Sequence, residues 1–201
     1  RSKKEGGVIY STANLTLQGK NGHKVIFDNN QGDANSSVLR MYGGNNTITN
    51  AEFKNNKGGS GAIFIGSNSG TNTLTITDTN FTDNISSGNS GAMLIQSATN
   101  TVNINAANSN VTFSGNKAGV TFTKDSNGNI TGYTGGTLVD IYNTCTVNLT
   151  AASGKTISFT GAITDAATPA GTTTVTGPGT VSFGGAVTQK TITVNSGVAN
   201  F

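Results

Sequence analysis

Two short motifs recur along this chain and keep a fixed phase relative to each other. The first is a phenylalanine followed three positions later by an asparagine, and its four copies begin at Phe27, Phe53, Phe81 and Phe113. The second is a pair of small residues before an apolar run, and its four copies are Gly6-Gly7-Val8-Ile9, Ser60-Gly61-Ala62-Ile63, Ser90-Gly91-Ala92-Met93 and Gly135-Gly136-Thr137-Leu138. The spacing from Ala62 to Phe81 is 19 residues, and that from Ala92 to Phe113 is 21. Motifs held in phase over several copies predict one structural unit repeated along the chain.

Each unit predicts three short strands separated by turns. The motif phenylalanines lie 26, 28 and 32 residues apart, which is the length of one coil of a β-solenoid. In the clearest copy, Leu74 and Ile76 alternate with threonine, so one face of the strand is apolar and the other polar. A single strand cannot bury that apolar face alone, whereas coils stacked in parallel can. We therefore predict an all-β, right-handed parallel β-helix with coils of about 20–30 residues. Seven such coils would form a rod about 35 Å long.

The composition excludes the main alternatives to such a fold. Gly, Thr, Asn and Ser number 28, 33, 27 and 18, and together they exceed half of the 201 residues. Gly, Thr and Asn are poor helix formers, which disfavours a helical bundle. The net charge of +3 is too small to keep the chain disordered, and one cysteine excludes a disulfide scaffold. The only basic cluster, Arg1, Lys3 and Lys4, is interpreted as solubilising, so no nucleic-acid partner is expected.

The last third of the chain follows a different pattern. From Asn143 onward both motifs disappear, but apolar and polar residues alternate more regularly, as in Thr156-Ile157-Ser158-Phe159. Turns there are marked by glycine and proline, for example Gly177-Pro178-Gly179. We interpret residues 1–201 as a single β-helix, with the repeats in residues 1–142 and a continuation of shorter coils in residues 143–201.

The motif residues have a structural and a functional interpretation, and the sequence leaves both open. Structurally, the phenylalanines would stack inside the rod, and the asparagines would adopt left-handed corner geometry and form a ladder. The small pair would fit a turn too tight for a Cβ. Functionally, the same residues would contact a ligand. The candidate binding residues are Phe27, Asn30, Phe53, Asn56, Gly61, Ala62, Ile63, Phe81, Asn84, Gly91, Ala92, Phe113 and Asn116.

Together the two motifs resemble the repeats of chlamydial polymorphic membrane proteins, over residues 6–142. Members of that family are autotransporters whose passenger domain is a right-handed parallel β-helix. The resemblance implies a surface adhesin that a Gram-negative bacterium exports to its outer membrane, where it binds a host cell-surface receptor or glycan. It also implies a C-terminal membrane barrel outside this segment. The segment begins Arg1-Ser2-Lys3-Lys4, without a methionine, and is expected to be an excerpt from a longer protein or a mature piece. Exposed strand edges at the end coils make self-association a further expectation.

A polysaccharide-active or polysaccharide-binding β-helix is the alternative. Polysaccharide lyases and hydrolases need paired carboxylates, or carboxylates that hold Ca²⁺ beside a basic residue. The nearest such group is Asp78 with Asp83 and Arg40, for which a solvated corner is the better explanation. His23 stands alone in a turn, and Cys145 lies in a strand pattern typical of a buried, inert thiol. We therefore predict no catalytic residue, no metal site and no cofactor, that is, a binding protein rather than an enzyme.

A third class is ice binding, because β-solenoids with rows of Thr-x-Thr can order water. Such pairs occur at Thr47/Thr49, Thr75/Thr77 and Thr191/Thr193, but their irregular spacing argues against a continuous row. For the adhesin, contacts are expected from a polar Thr/Asn face, adding up over several coils, and from exposed loops. The candidate loops are Gly66 to Asn72, Ser97 to Asn100, and Lys124 to Tyr133, the last being predicted to leave the coil.

Overall fold

A computed structural model describes residues 7–32, 38–66, 70–97 and 99–201. This part of the chain is entirely β-structure and turns, without a helix. Gly6 of the first small-residue pair and the basic residues Arg1, Lys3 and Lys4 lie outside the described ranges, as do residues 67–69 and 98 of two candidate loops. The strands in chain order are β1 (Ile9–Ser11), β2 (Thr16–Gln18), β3 (Val25–Asp28), β4 (Leu39–Met41), β5 (Gly44–Thr49), β6 (Ala51–Lys54), β7 (Lys57–Gly58), β8 (Ile63–Ile65), β9 (Asn72–Thr77), β10 (Asn80–Thr82), β11 (Ile85–Ser86), β12 (Met93–Ile95), β13 (Thr101–Ala106), β14 (Val111–Ser114), β15 (Lys117–Lys124), β16 (Ile130–Asn143), β17 (Thr146–Ala151), β18 (Thr156–Phe159), β19 (Ala162–Thr164), β20 (Thr172–Thr176), β21 (Thr180–Phe183), β22 (Thr191–Val194) and β23 (Val198–Asn200).

The strands wind into seven coils that stack in parallel. Each coil gives one strand to a seven-stranded Phe sheet, in the order β3-β6-β10-β14-β18-β21-β23. Each also gives one strand to a seven-stranded Thr/Asn sheet, in the order β2-β5-β9-β13-β17-β20-β22. Every strand pair in both sheets is parallel, so the predicted parallel β-helix is confirmed. Its right-handed sense remains a prediction from the crossover rule.

A third sheet closes the coil. It pairs β1, β4 and β8, and backbone hydrogen bonds from Ile63 N to Ala92 O and from Gln96 N to Ile65 O, both 2.9 Å, join β8 to β12. Strands β16 and β19 continue it. Between the Phe sheet and the third sheet, the short strands β7, β11 and the first residues of β15 form an additional corner ladder.

Seven phenylalanine side chains stack in a column that runs through the core. Adjacent rings are 4.7–5.7 Å apart between centroids and nearly parallel, with interplanar angles of 5–23°. The four motif phenylalanines stack in sequence, as predicted. The column then continues through Phe159 and Phe183, which are not followed by an asparagine three positions later, and through Phe201, the last residue of the sequence. Offset aromatic stacking adds about 0.5–1.5 kcal/mol per pair beyond the burial of the rings.

The segment predicted as a loop at Lys124 to Tyr133 is instead the end of a β-hairpin. Strands β15 and β16 pair in antiparallel fashion and leave the stack after the fourth coil. The Asp125 carboxylate accepts hydrogen bonds from the backbone N–H groups of Asn127 and Asn129, which closes the turn. Beyond it, Ile130 N donates to Gln31 Oε1 at 3.0 Å, so the hairpin tip is tied to the first coil. The turn-rich composition was correctly recognised, but the docking depends on a residue 99 positions away.

Candidate functional site

The candidate binding residues of the two motifs lie inside the rod. Phe53, Phe81, Phe113, Asn84 and Asn116 have no exposed surface. Phe27 and Asn56 are almost fully buried, as are Ala62, Ile63 and Ala92, and only Asn30 at the first coil is half-buried. A ligand cannot reach the buried side chains unless the coils separate. Their geometry therefore favours the structural interpretation of both motifs.

The motif asparagines form a continuous hydrogen-bonded ladder along one corner. Asn30 donates from Nδ2 to Asn56 Oδ1 at 2.9 Å, Asn56 donates to Asn84 at 2.8 Å, and Asn84 donates to Asn116 at 3.0 Å. Each of the last three amides also donates to the backbone carbonyl of a phenylalanine one coil earlier, for example from Asn84 to Phe53 O at 2.9 Å. All amides thus point the same way along the rod. This predicted ladder is confirmed, and its polarity is a finding of the structure.

The ladder ends on a carboxylate, Asp140. Asn116 Nδ2 donates to Asp140 Oδ1 at 2.8 Å, and Gly161 N donates to Asp140 Oδ2 at 2.7 Å. Aspartate suits this end because an ionised carboxylate only accepts hydrogen bonds. Asp140 is completely buried, and burial raises its pKa to about 6, although the hydrogen bonds from Asn116, Gly161 and Thr160 act in the opposite direction. No sequence signal predicts this role, since Asp140 lies outside both motifs.

The left-handed corner residue is the one before the motif asparagine. Asn29, Asn55 and Asp83 have φ of 53°, 56° and 54°, and Gly115 has φ of 66°. The prediction that the motif asparagines themselves adopt this geometry is therefore wrong. Two consecutive residues form the corner. The left-handed residue reverses the direction of the chain, and the side-chain amide of the next residue joins the ladder. The motif is better written Phe-x-(Asn/Asp/Gly)-Asn.

The small-residue pairs occupy places where a side chain has no room. A Cβ on Gly91 would lie 2.4 Å from Lys117 N and 2.6 Å from Asn84 O. Gly61 has φ of 79°, and a Cβ there would lie 3.0 Å from Ala92 O. These glycines pass against the backbone of the next coil, which confirms the predicted tight turn.

The three side chains considered for a polysaccharide-active site, Asp78, Asp83 and Arg40, lie in different parts of the coil. Arg40 lies in β4, and its guanidinium carbon is 4.2 Å from the centroid of the Phe64 ring. The Asp78 carboxylate accepts hydrogen bonds from the backbone of Ala107, Asn108 and Ser109 at 2.9–3.2 Å. Burial acts to raise the pKa of Asp78, but these bonds outweigh it and hold the pKa below its usual value. Asp78 therefore anchors the turn after β13.

The lone histidine and cysteine lie in separate environments. His23 is exposed in the turn after β2. Cys145 is buried, as predicted, and its thiol donates to Ser97 O at 2.6 Å. Burial raises the pKa of that thiol. Within the described ranges, no group of three or more His, Cys, Asp or Glu side chains could hold a metal ion.

One surface was underestimated from the sequence. The outward positions of the Thr/Asn sheet form three rows, which we call the Thr/Asn face. The middle row is Thr16, Thr47, Thr75, Asn103, Asn148, Thr174 and Thr193. The flanking rows are Asn45, Thr73, Thr101, Thr146, Thr172 and Thr191, and Gln18, Thr49, Thr77, Asn105, Thr150 and Thr176.

These rows correct the prediction that irregular spacing prevents a continuous row. Thr47, Thr75 and Thr193, from three separate Thr-x-Thr pairs, fall in the same row. The variation in coil length is taken up in the turns and in the β15–β16 hairpin, outside the Thr/Asn sheet. None of the strand pairs in that sheet contains a register shift.

The hairpin provides a second exposed surface. Tyr133 and Leu138 are 36% and 45% exposed, whereas the other exposed large apolar side chains belong to the first and last coils. A groove with a volume of about 240 Å³ lies where the hairpin leaves the rod, lined by Asn89, Thr137, Tyr142 and others. The Lys117 ammonium lies 5.4 Å from the Tyr133 ring centroid.

The other two candidate loops are held at their ends by buried asparagines. Asn72 Nδ2 donates to Gly66 O at 3.3 Å, across the first loop. Asn100 is likewise buried, and its Nδ2 donates to Gln96 O at 2.5 Å. Both loops are therefore tied to the coil at their bases.

Searches of protein-family models, of curated proteins and of solved structures find no match to this chain. In the described ranges, no helix is long and apolar enough to cross a membrane.

Proposed function

We propose that this chain is a segment of a non-enzymatic surface adhesin, an autotransporter-type passenger that binds a receptor or glycan on a host cell. The proposal places the protein outside the cell, at the surface of a Gram-negative bacterium. The resemblance of residues 6–142 to the polymorphic membrane proteins supports the family and the location. A rod of stacked coils suits the role because it carries a contact surface away from the membrane.

The hairpin is the observation that carries the proposal. It is the excursion that separates the fourth coil from the fifth, and it exposes Tyr133 and Leu138 away from both ends of the rod. Tyrosine is enriched in protein interfaces because it combines a large apolar ring with a polar group, and exposed apolar side chains are typical of contact sites. The adjacent groove contains Tyr142 and is wide enough to receive a side chain or a sugar.

The test is the binding of the purified chain to cultured host cells, measured by flow cytometry. We expect the double variant Tyr133→Ser/Leu138→Ser to bind at least about tenfold more weakly, because truncating an interface anchor costs roughly 2 kcal/mol. Ile26→Ser is the control, since Ile26 is an apolar residue on the Phe sheet of the first coil and, at 55%, is more exposed than Tyr133 or Leu138. Equal circular dichroism spectra establish that all variants fold.

Two outcomes would contradict the proposal. One is a chain that binds no host cell at all. The other is cell binding that the hairpin variant and the Ile26→Ser control reduce to the same extent.

Self-association is a second part of the proposal. Within this 201-residue segment, the last coil exposes Ile192, Val194, Val198 and Phe201, and its strands β22 and β23 are the outermost strands of their sheets. Edge strands pair readily with a further strand. We expect the molar mass measured by light scattering to rise with concentration, and Ile192→Lys to reduce that rise.

A further inference from the structure

The three rows of the Thr/Asn face form a two-dimensional lattice. Along each row, side chains repeat once per coil, at the strand spacing of about 4.7–4.9 Å. Across the rows they repeat every second residue, at about 6.6–6.8 Å. The rows run without a register shift over six or seven coils.

The side chains of this lattice are held in place. Threonine is branched at Cβ and has few χ1 rotamers on a strand. Hydrogen bonds along the rows restrict them further: Thr150 and Thr176 hydroxyls are 2.9 Å apart, and Asn148 Nδ2 donates to Asn103 Oδ1 at 2.9 Å. Thr47 donates to Thr16 at 3.3 Å in the first two coils. A hydroxyl has one donor and two acceptor sites, so bonds along a row leave further sites directed to solvent.

The chemistry of the face limits its ligand. Its outward positions carry only Thr, Asn and one Gln, with neither charge nor an aromatic ring. Small molecules bind in concave sites, and protein interfaces are enriched in aromatic residues and arginine. A uniform array of hydroxyl and amide groups instead complements a partner that is itself a periodic array of donors and acceptors.

We propose that the Thr/Asn face orders a layer of water molecules and binds ice. Water suits this lattice for two reasons. Each water molecule both donates and accepts hydrogen bonds, and water molecules bound to adjacent coils take up the spacing of the coils. The threonine methyl groups between the hydroxyls limit other arrangements of that layer. A crystalline polysaccharide also presents a hydroxyl array, but sugar rings are usually bound by stacking on aromatic side chains, which this face lacks. The inference concerns a different surface from the hairpin and stands independently of the adhesin proposal.

The test measures ice-crystal shaping and thermal hysteresis by the purified chain in a cooled nanolitre droplet. We expect the wild-type chain to produce faceted crystals. Thr75→Tyr, in the middle row of the third coil, should abolish faceting because its ring stands above the lattice. Thr112→Tyr is the matched control on the outer side of the Phe sheet and should leave faceting unchanged. Circular dichroism checks that both variants fold.

Three further arms sharpen the test. Thr75→Val keeps the shape of the side chain but removes its hydroxyl. Valine is as favourable in a strand as threonine, so we expect a folded variant with weaker hysteresis. Asn103→Thr/Asn148→Thr completes the middle row and should increase hysteresis. Sedimentation with crystalline cellulose and chitin tests the other hydroxyl arrays. Unfaceted ice with the wild-type chain, equal loss in Thr75→Tyr and Thr112→Tyr, or binding to a polysaccharide without ice shaping would each overturn the inference.

Discussion

The first four coils and the two that follow them turn the same corner in different ways. In the first four, the chain leaves the Phe sheet through a left-handed residue and a ladder asparagine, and it then forms a short corner strand or its equivalent. After Phe159 the chain instead passes through Thr160 and Gly161 directly into β19. The ladder stops at Asp140, and the phenylalanines come closer in sequence, 24 and 18 residues apart instead of 26–32.

This difference indicates that the phenylalanine and the asparagine of each repeat have separate structural roles. The phenylalanine column runs through all seven coils, so it is the feature that every coil requires. The asparagine ladder accompanies the longer coils, whose extra corner buries backbone groups that need partners. In the shorter coils, glycine takes the place of the ladder asparagine. A Cβ on Gly185 would lie 2.5 Å from Gly161 C, so the backbones of consecutive corners are in direct contact. Four predictions test this division.

The largest effect is expected at the centre of the column. Phe113→Ala removes a fully buried ring that stacks at 4.7 Å on both Phe81 and Phe159. It should lower the free energy of unfolding by about 3–5 kcal/mol, measured by urea denaturation. Phe183→Ala, nearer the end of the rod, should cost less. Equal losses would contradict the expectation that a ring contributes more at the centre of the column than near its end.

The next effect is a pH dependence at the ladder end. The pKa of Asp140 rises from an ordinary 3.8 to about 6 in the folded chain, which therefore binds the proton more tightly than the unfolded chain. The resulting stability is complete below about pH 4 and is lost as the pH rises through about 6. We expect Asp140→Asn to remove a change of roughly 2–3 kcal/mol in the free energy of unfolding between about pH 4 and pH 7.

The control for that prediction is Asp78→Asn. The pKa of Asp78 is lowered, so its stabilisation is present above its usual pKa and is lost in more acidic solution. This variant should therefore leave the dependence of the free energy of unfolding on pH unchanged above about pH 4. If the Asp140→Asn variant kept the same dependence of the free energy of unfolding on pH, the assignment of that dependence to Asp140 would be contradicted.

A smaller effect distinguishes the interior of the ladder from its exposed end. Asn84→Ala leaves Asn56 N and Phe53 O without their partners in the core, and it should cost about 2 kcal/mol or more. Asn30→Ala, at the half-buried first rung, should cost less than about 1 kcal/mol because water reaches that end. Thermal unfolding followed by circular dichroism measures both. Similar costs at the two positions would mean that the ladder contributes little through burial.

The smallest effect is expected at the last ring. Phe201 stacks on Phe183 at 4.9 Å but is 73% exposed. Phe201→Ala should change the free energy of unfolding by less than about 1 kcal/mol. A loss comparable to that of Phe113→Ala would show that the final ring is as firmly packed as the centre of the rod.

Much of this architecture could be predicted from the sequence because its signals are local. Alternation such as Leu74-Thr75-Ile76 predicts a strand with one buried face, and the recurrence of Phe-x-x-Asn predicts both the coil and the stacked rings. The Phe-x-x-Asn motif predicts the column only as far as Phe113, since Phe159 and Phe183 are not followed by an asparagine three positions later and Phe201 is the last residue of the sequence. The ring is common to all coils, whereas the asparagine belongs to one kind of corner.

Most of the strands, the parallel coil and much of the core can therefore be predicted from the linear sequence, because hydrophobic alternation and turn chemistry act over a few neighbouring residues. Features that depend on register between distant segments appear only in the folded chain. Folding aligns threonines from separate coils into rows, places Asp140 at the end of the ladder and brings Ile130 to Gln31. Backbone pairing between coils sets that register, and turns of unequal length conceal it in the linear sequence.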